Sequence, residues 1–311
     1  MKRIGLIGVG NIAEKAYLPI FAGLQDKYEF IVSSRTRKKA EQIRAKYDFF
    51  GAVEGIDELI EAGVEIAFVH SATKSHFDIC YRLMQAGVHV FVDKPVSEKL
   101  EEVAQLQKLS TDNKVLLMAG FNRRFAPKVQ ELKKVPEKNM IFVSKNRMNA
   151  KQRVDFVLYD LFIHPLDTAM YLLDDEEVKK YSAKLIREGD FLKRAFVRLE
   201  TENTSVVVTM NMQSGANTEE INVQSLHGTY KVDNLVDLVK EENGVKTLEG
   251  FSDWTTTLQK RGFEPMVQTF LEAVEIREKE GDYIKAMLHC KQQKVHKSHE
   301  IIRNILKEYG Y

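Results

Sequence analysis

"GLIGVGNIAEKA", residues 5–16, decides the fold. An apolar run ends in Gly8, Gly10 and Ala13, a G-x-G-x-x-A pattern, and a helix-period segment opens at Asn11 and Ile12. Each small residue has a physical use: Gly8 for a tight turn, Gly10 so that a pyrophosphate can approach the backbone, Ala13 for close helix packing. The helix amino terminus then faces the anion with its free N–H groups. Outward from this point, "YEFIVSS" (28–34), "EIAFVHSA" (65–72), "VHVFVDK" (88–94) and "KVLLMAG" (114–120) repeat the compact apolar pattern. Amphipathic stretches at 36–47, 75–87 and 97–113 lie between them. Apolar strands without polar alternation need cover on both faces, and helical crossovers supply it. The first domain is therefore predicted as a doubly wound α/β sheet over residues 1–121, with a second domain over 122–311.

Composition sets the limits. With 46 Lys+Arg against 45 Asp+Glu, the 311-residue chain has a formal net charge of +1, a balance that calls for neither nucleic acid nor an anionic membrane. No run of 18 apolar residues and no signal-peptide pattern is present. The expectation is a cytoplasmic protein that handles a small molecule. Cys80 and Cys290, the two cysteines, lie in helix-like contexts and are read as reduced thiols.

The end of the second predicted strand speaks to the choice of dinucleotide. An NAD site places a carboxylate there for the ribose 2′-hydroxyl, whereas this chain runs Ser33, Ser34, Arg35, Thr36, Arg37, Lys38. A 2′-phosphate would find hydroxyls and a guanidinium fork, with Arg35 able to stack on adenine and Arg37 to reinforce it. NADP is the expected cofactor, with NAD possible. Ligands of open α/β sheets bind outside the carboxyl ends of the strands, which places Ser71, Thr73 and His76 of "HSATKSH" (70–76) and Lys94 of "VDKP" (92–95) at the cofactor crevice. A lysine partly desolvated there can hydrogen-bond a substrate oxygen or hand it a proton.

The set "IGVGNIA", "HSATKSHFD", "AGVHVFVDKP" and "GFNRRFAP" (120–127), in this order and spacing, resembles the glucose–fructose oxidoreductase/inositol dehydrogenase/rhizopine catabolism (Gfo/Idh/MocA) family, most of all its MviM-like subgroup. The resemblance implies a Rossmann domain followed by a large, mostly antiparallel open sheet, often used to form dimers or tetramers. It also implies a catalytic lysine at Lys94, and a D-x-x-x-H pair, here Asp160 and His164 in "LYDLFIHPLDTAMYLL" (158–173). Four residues apart on a helix, a carboxylate and an imidazole share a face, and the acid can orient the base that takes a hydroxyl proton. A third metal ligand is not in view, so no metal is expected. Asn122 and Arg123 are candidates to contact nicotinamide or substrate. The implied activity is hydride transfer between NAD(P) and a CH–OH group of a sugar, polyol or derivative. Alternatives in the same fold are an NAD-dependent glycoside hydrolase and a non-catalytic NADP-binding regulator. Two departures stand out: Asp93 replaces the family's usual Glu before the lysine, and Phe162 fills a position usually held by Gly, which predicts a remodelled pocket wall.

Beyond residue 121, segments at 138–148, 181–189, 192–201, 204–215, 219–228 and 229–244 alternate with period two, as an antiparallel sheet with one buried face requires. The tail reads as two helices, 264–281 and 285–310, with His289, Cys290, His296 and His299 spread around a basic, solvated helix.

Overall fold

The apolar runs of the amino-terminal part form a six-stranded sheet in the computed structural model, which describes residues 1–311. Its strands are β1 (Lys2–Ile7), β2 (Tyr28–Ser34), β3 (Gly51–Glu54), β4 (Ile66–Val69), β5 (His89–Asp93) and β6 (Leu117–Gly120), all parallel and ordered β3-β2-β1-β4-β5-β6. Strand order reverses beside β1, so the carboxyl ends of β1 and β4 flank the switch point where such sheets bind ligands. The predicted helices appear at Arg37–Tyr47, His76–Gln85 and Leu100–Asn113. β3 and the helix Gly55–Glu61 were not foreseen, because a four-residue edge strand opening on Gly and half exposed carries no apolar run.

Two compact units divide the chain: Met1–Gly120 with Met266–Gln292, and Phe121–Pro265 with Gln293–Tyr311. This corrects the simple division at residue 121. From Met266 onward the helix Phe263–Glu280 packs into the first core, where Phe270 meets the rings of Phe68 at 5.5 Å and Phe91 at 5.8 Å. Burial of a side chain of this size is worth roughly 1.5–3 kcal/mol, enough to fix where the returning segment sits. Tyr283 adds a buried hydrogen bond at 2.8 Å between its hydroxyl and that of Ser110.

The second unit is built on an eight-stranded sheet of β7 (Lys138–Met148), β8 (Lys180–Glu188), β9 (Phe191–Glu200), β10 (Ser205–Ser214), β11 (Thr218–Ser225), β12 (Gly228–Asp233), β13 (Asp237–Glu242) and β14 (Val245–Glu249). The order is β14-β13-β12-β11-β7-β10-β9-β8, with β7 and β10 parallel and every other pair antiparallel. Its inward register carries Ile141, Val143, Val206, Val208, Ile221 and Val223, against which the helix Ile163–Leu172 lies. The segment 229–244 is two strands, turned at Asn234 and Leu235, and a further turn at Asn243-Gly244 leads into β14. Positive φ at both turn residues, 52° and 77° at Asn243 and Gly244, matches the right-handed twist of a tight hairpin. The carboxyl-terminal helix is also broken, into Tyr283–His289 and Val295–Glu308, with Lys291 and Lys294 in the left-handed region at φ 53° and 62°. Cys290 and His299, predicted on a solvated face, are both buried. No helix is long and apolar enough to cross a membrane.

Candidate active site

In the first unit, the turn after β1 fits a dinucleotide. Gly8 has φ +84°, and a Cβ there would lie 2.3 Å from Ser71 N and 2.5 Å from His70 C, so only glycine lets the turn rest on the chain leaving β4. The His70 N–H donates to Ile7 O at 2.7 Å and seals that approach. At Gly10 the opposite holds: a Cβ would meet nothing within 4 Å, which leaves the room that a pyrophosphate needs. Asn11 and Ile12 are exposed, and Ala13 is fully buried where the helix packs on the sheet. The first turn, Ala13–Tyr17, is a π-helix in which Leu18 N–H reaches back five residues to Ala13 O. Such bulges are rare and concentrate at functional sites.

At the end of β2, Ser33 is buried and donates to Gly55 O at 2.7 Å, Ser34 is half-buried, and Arg35 is exposed. Arg37 is committed elsewhere: its guanidinium bonds Ala52 O at 3.2 Å and the Glu58 carboxylate. Those bonds hold Arg37 against β3 and the helix after it. The structure also supplies an acid missed in the sequence, because Ser34 pairs in register with Glu54 at the end of the unforeseen β3. The Glu54 carboxylate accepts the Arg37 backbone N–H at 3.0 Å.

Around Lys94 the backbone is held tightly. Asp93 Oδ1 accepts the Lys94 N–H at 2.9 Å and faces the Tyr17 hydroxyl at 3.5 Å; burial, then the Asp93 charge, raises the Tyr17 phenol well above its usual value. The shorter Asp arm thus has a use, as a cap on the turn that carries the lysine. The Lys94–Pro95 peptide is cis, and Val96 and Ser97 beyond it are buried. His76, predicted to touch the cofactor, is buried and spends both ring nitrogens on the backbone: Nδ1 lies 2.9 Å from Pro95 O and Nε2 2.9 Å from Ser71 O. His76 therefore ties the loop after β4 to the lysine turn instead of touching a ligand. Ser71 and Thr73 are half-buried in that loop, with Ser71 Oγ accepting from Ser75 Oγ at 2.9 Å. Beneath the loop, His70 stacks on Tyr17 with ring centroids 3.8 Å apart, and burial, aided by nearby His76, lowers its pKa to about 3.

In the second unit, Asp160 lies in a second π-helical turn, Val157–Phe162, closed by Ile163 N–H bonding Leu158 O, and His164 begins the following helix. Both side chains are half-buried. Thr168 Oγ1 donates to His164 O at 2.9 Å, stiffening that helix turn. Phe162 is fully buried, so it belongs to the packing and not to an open wall, contrary to the expectation of a remodelled pocket. Asp167, one turn on, is sealed against Arg124 through two 2.7 Å bonds and accepts from Ser298 Oγ at 3.2 Å. Asn122 and Arg123 are likewise engaged within the unit and buried. Asn122 Nδ2 donates to Arg261 O at 2.8 Å, and Arg123 forks the Glu219 carboxylate, with Nη2 2.7 Å from Oε2. Lys145 joins Glu219 at 2.9 Å. Sequence reasoning missed Lys145 and Glu219, although a charge in the inward register of an alternating strand was the signal.

Comparison with known proteins agrees with the fold. Residues 2–121 match the model of the Gfo/Idh/MocA oxidoreductase family, NAD-binding Rossmann fold, and residues 127–243 that of the YceM-like C-terminal domain. The YceM protein of Salmonella typhimurium is 30% identical over 278 residues, covering 88% of this chain and 89% of its own. Inositol 2-dehydrogenase of Rhizobium meliloti is 25% identical over 303 residues, covering 88% of each chain. Among solved structures, the dehydrogenase MviM of Clostridium difficile superposes with a TM-score of 0.86 at 30% identity over 99% of both chains.

Proposed function

The chain belongs to the Gfo/Idh/MocA oxidoreductase family and is an NAD(P)-dependent dehydrogenase acting on CH–OH groups, and on that premise we propose that its substrate is a secondary alcohol of a sugar, polyol or derivative, with NADP(H) as the preferred cofactor. The observation that supports dinucleotide binding is the pair of glycines, one pressed onto the Ser71 backbone and the other facing open space, and the exposed Arg35 after Ser34 at the end of β2 supports NADP(H) over NAD(H). Gly8, Gly10, Asn11, Ile12 and Ala13 would hold the pyrophosphate, with Ser34 and Arg35 at the adenosine 2′-phosphate. The bound nicotinamide supplies the carbon that accepts or donates the hydride. His164, oriented by Asp160, takes the proton of the substrate hydroxyl, and returns it when the reaction runs as a reduction. Lys94 would donate a hydrogen bond to a substrate oxygen that gains negative charge. The outer face of the larger sheet exposes Phe142 and Phe196, which supports a homo-oligomer formed through that face. Two buried free thiols agree with a reducing compartment, and we place the protein in the cytoplasm.

The test is a panel of polyols and sugars incubated with NADP⁺, followed by the absorbance of reduced nicotinamide. Net reduction with at least one polyol is expected. Cleavage of a glycoside without net cofactor turnover, or cofactor binding without any reaction across the panel, would replace this reading with the hydrolase or the regulator.

A further inference from the structure

Within the second unit, four cations gather about one carboxylate. Glu219 of β11 is the register partner of Lys145 on β7, and their side chains meet at 2.9 Å while Arg123 forks the same carboxylate. All three side chains are buried, at 7%, 8% and 4% exposure. Arg147 follows Lys145 by two residues and so shares its face of the sheet. Arg261 is brought alongside by its backbone. Its carbonyl accepts from Asn122 Nδ2 at 2.8 Å, and Gly262, at φ +82°, presses so closely on residues 122–126 that a Cβ would lie 2.3 Å from Asn122 O.

The charges do not balance. Arg123, Lys145, Arg147 and Arg261 against Glu219 leave a surplus of three positive charges. Arg123 and Lys145 share the one carboxylate, whereas the half-buried Arg147 and Arg261 have neither an ion pair nor a hydrogen bond from their guanidinium groups. The crowding also bears on protonation. Burial, then Arg123, lowers Lys145 to about 8 despite its contact with Glu219, and burial followed by Arg123 lowers Arg261, with Arg147 adding to the repulsion. Like charges held together partly out of water ask for an anion. Two guanidinium forks and a surplus of this size fit a dianion with several acceptor oxygens, which a neutral polyol does not provide.

We propose that this cluster seats the phosphate of a phosphorylated sugar or polyol, with Arg147 and Arg261 forking the dianion above the Arg123–Glu219–Lys145 floor. The proposal rests on the dehydrogenase reading above and narrows its substrate class.

The full-length protein, saturated with NADP⁺ so that its own phosphate sites are filled, is titrated calorimetrically with inorganic phosphate and, at matched ionic strength, with acetate. One phosphate should bind per chain, about 10-fold or more tighter than acetate. Arg147→Gln and Arg261→Gln should each weaken phosphate by about 10-fold, and each should raise the melting temperature of the ligand-free protein, because a repelling cation has gone. Arginines that only support the fold would lower it. Absent or acetate-like phosphate binding, unchanged affinity in both variants, or a lower melting temperature in both, overturns the proposal. Phosphate binding does not depend on turnover, so failure of the polyol panel leaves this result standing, and its own failure leaves the dehydrogenase reading standing.

Discussion

Gly8 and Gly10 separate what the turn does for the fold from what it does for the dinucleotide. At Gly8 the backbone sits at φ +84°, where an L side chain costs about 1–2 kcal/mol. The new Cβ would also be 2.3 Å from Ser71 N and 2.5 Å from His70 C, at least 0.5 Å inside the 3.0 Å that Cβ atoms keep. Since both obstacles are backbone, no side chain can swing aside. Relief requires moving residues 70–71, and with them the 2.7 Å bond from His70 N–H to Ile7 O, worth about 1 kcal/mol. Gly8→Ala should therefore destabilise the protein by about 2–3 kcal/mol and, by shifting the turn, weaken NADP(H) binding as well. Gly10→Ala meets nothing within 4 Å, so its urea midpoint should stay within about 0.5 kcal/mol of the parent. Its methyl would nonetheless occupy the space a pyrophosphate approaches, and affinity should fall by about 10-fold, or ~1.4 kcal/mol. Urea denaturation and the fluorescence of added NADPH measure the two effects independently. If Gly10→Ala binds NADPH as tightly as the parent, or if both variants lose the same stability, the division of labour drawn here is wrong.

Lys94→Ala and His164→Ala should each lower turnover by ~10²–10⁴-fold with little change in NADP(H) affinity, and Lys94→Arg should not rescue, because a guanidinium cannot return a proton at neutral pH; full turnover in Lys94→Ala would remove the lysine from the mechanism. Arg35→Ala should cut the preference for NADP(H) over NAD(H) by about 10-fold in paired titrations, whereas an unchanged ratio would show that the 2′-phosphate is held elsewhere. Burial depresses His70 to about 3 and, with help from Arg277 and Lys2, His89 to about 4, and His89 Nδ1 must stay unprotonated to accept the Leu116 N–H at 2.9 Å. Below its ordinary pKa near 6.5 the unfolded chain takes up protons that the folded chain refuses, so stability is intact above that pH and falls on acidification toward the folded values, by ~2 kcal/mol per histidine between pH 7 and 5; urea melts of the parent and His89→Asn across that window should show the variant with the shallower decline. Asp167→Asn strands the fully buried Arg124 guanidinium and should cost about 3–5 kcal/mol, and a loss below 1 kcal/mol would mean that water reaches the pair.

Most of the fold was legible because its strands obey two simple patterns. Strands buried on both faces show continuous apolar runs, as β2 does, and strands buried on one face alternate, as β7 does from Lys138 to Met148. What escaped lacks such a pattern. β3 is a short edge strand without an apolar face, and the break after His289 falls at Lys291 and Lys294 with neither Gly nor Pro to mark it. The return of residues 266–292 to the first unit is decided by the rings that Phe270 meets and the Ser110 hydroxyl that Tyr283 bonds, and amphipathic spacing says only that a helix has an apolar stripe, not which core receives it.

The site divides along a different line. Gly8 and Gly10 could be read from spacing because their conformation and the room around them are set by the backbone, and Lys94 was expected at a ligand site from its place at a strand end. Arg37, His76, Asn122 and Arg123 occupy similar positions but spend their polar atoms within their own units, on Glu58, on the Pro95 and Ser71 carbonyls, on Arg261 O and on Glu219. Nothing in a one-dimensional pattern distinguishes a polar group aimed at a ligand from one aimed at a distant carbonyl, since the partner of Arg123 lies 96 residues away. The inward register of β7 does carry that information in part. Ile141 and Val143 define the buried face, and Lys145 on the same face announces a charge that must find a counter-charge before any partner is known. Glu219, inward on β11, answers it. That the answer is one carboxylate for four cations emerges only when Gly262 presses Arg261 against the Asn122 backbone, a close approach that no periodicity records.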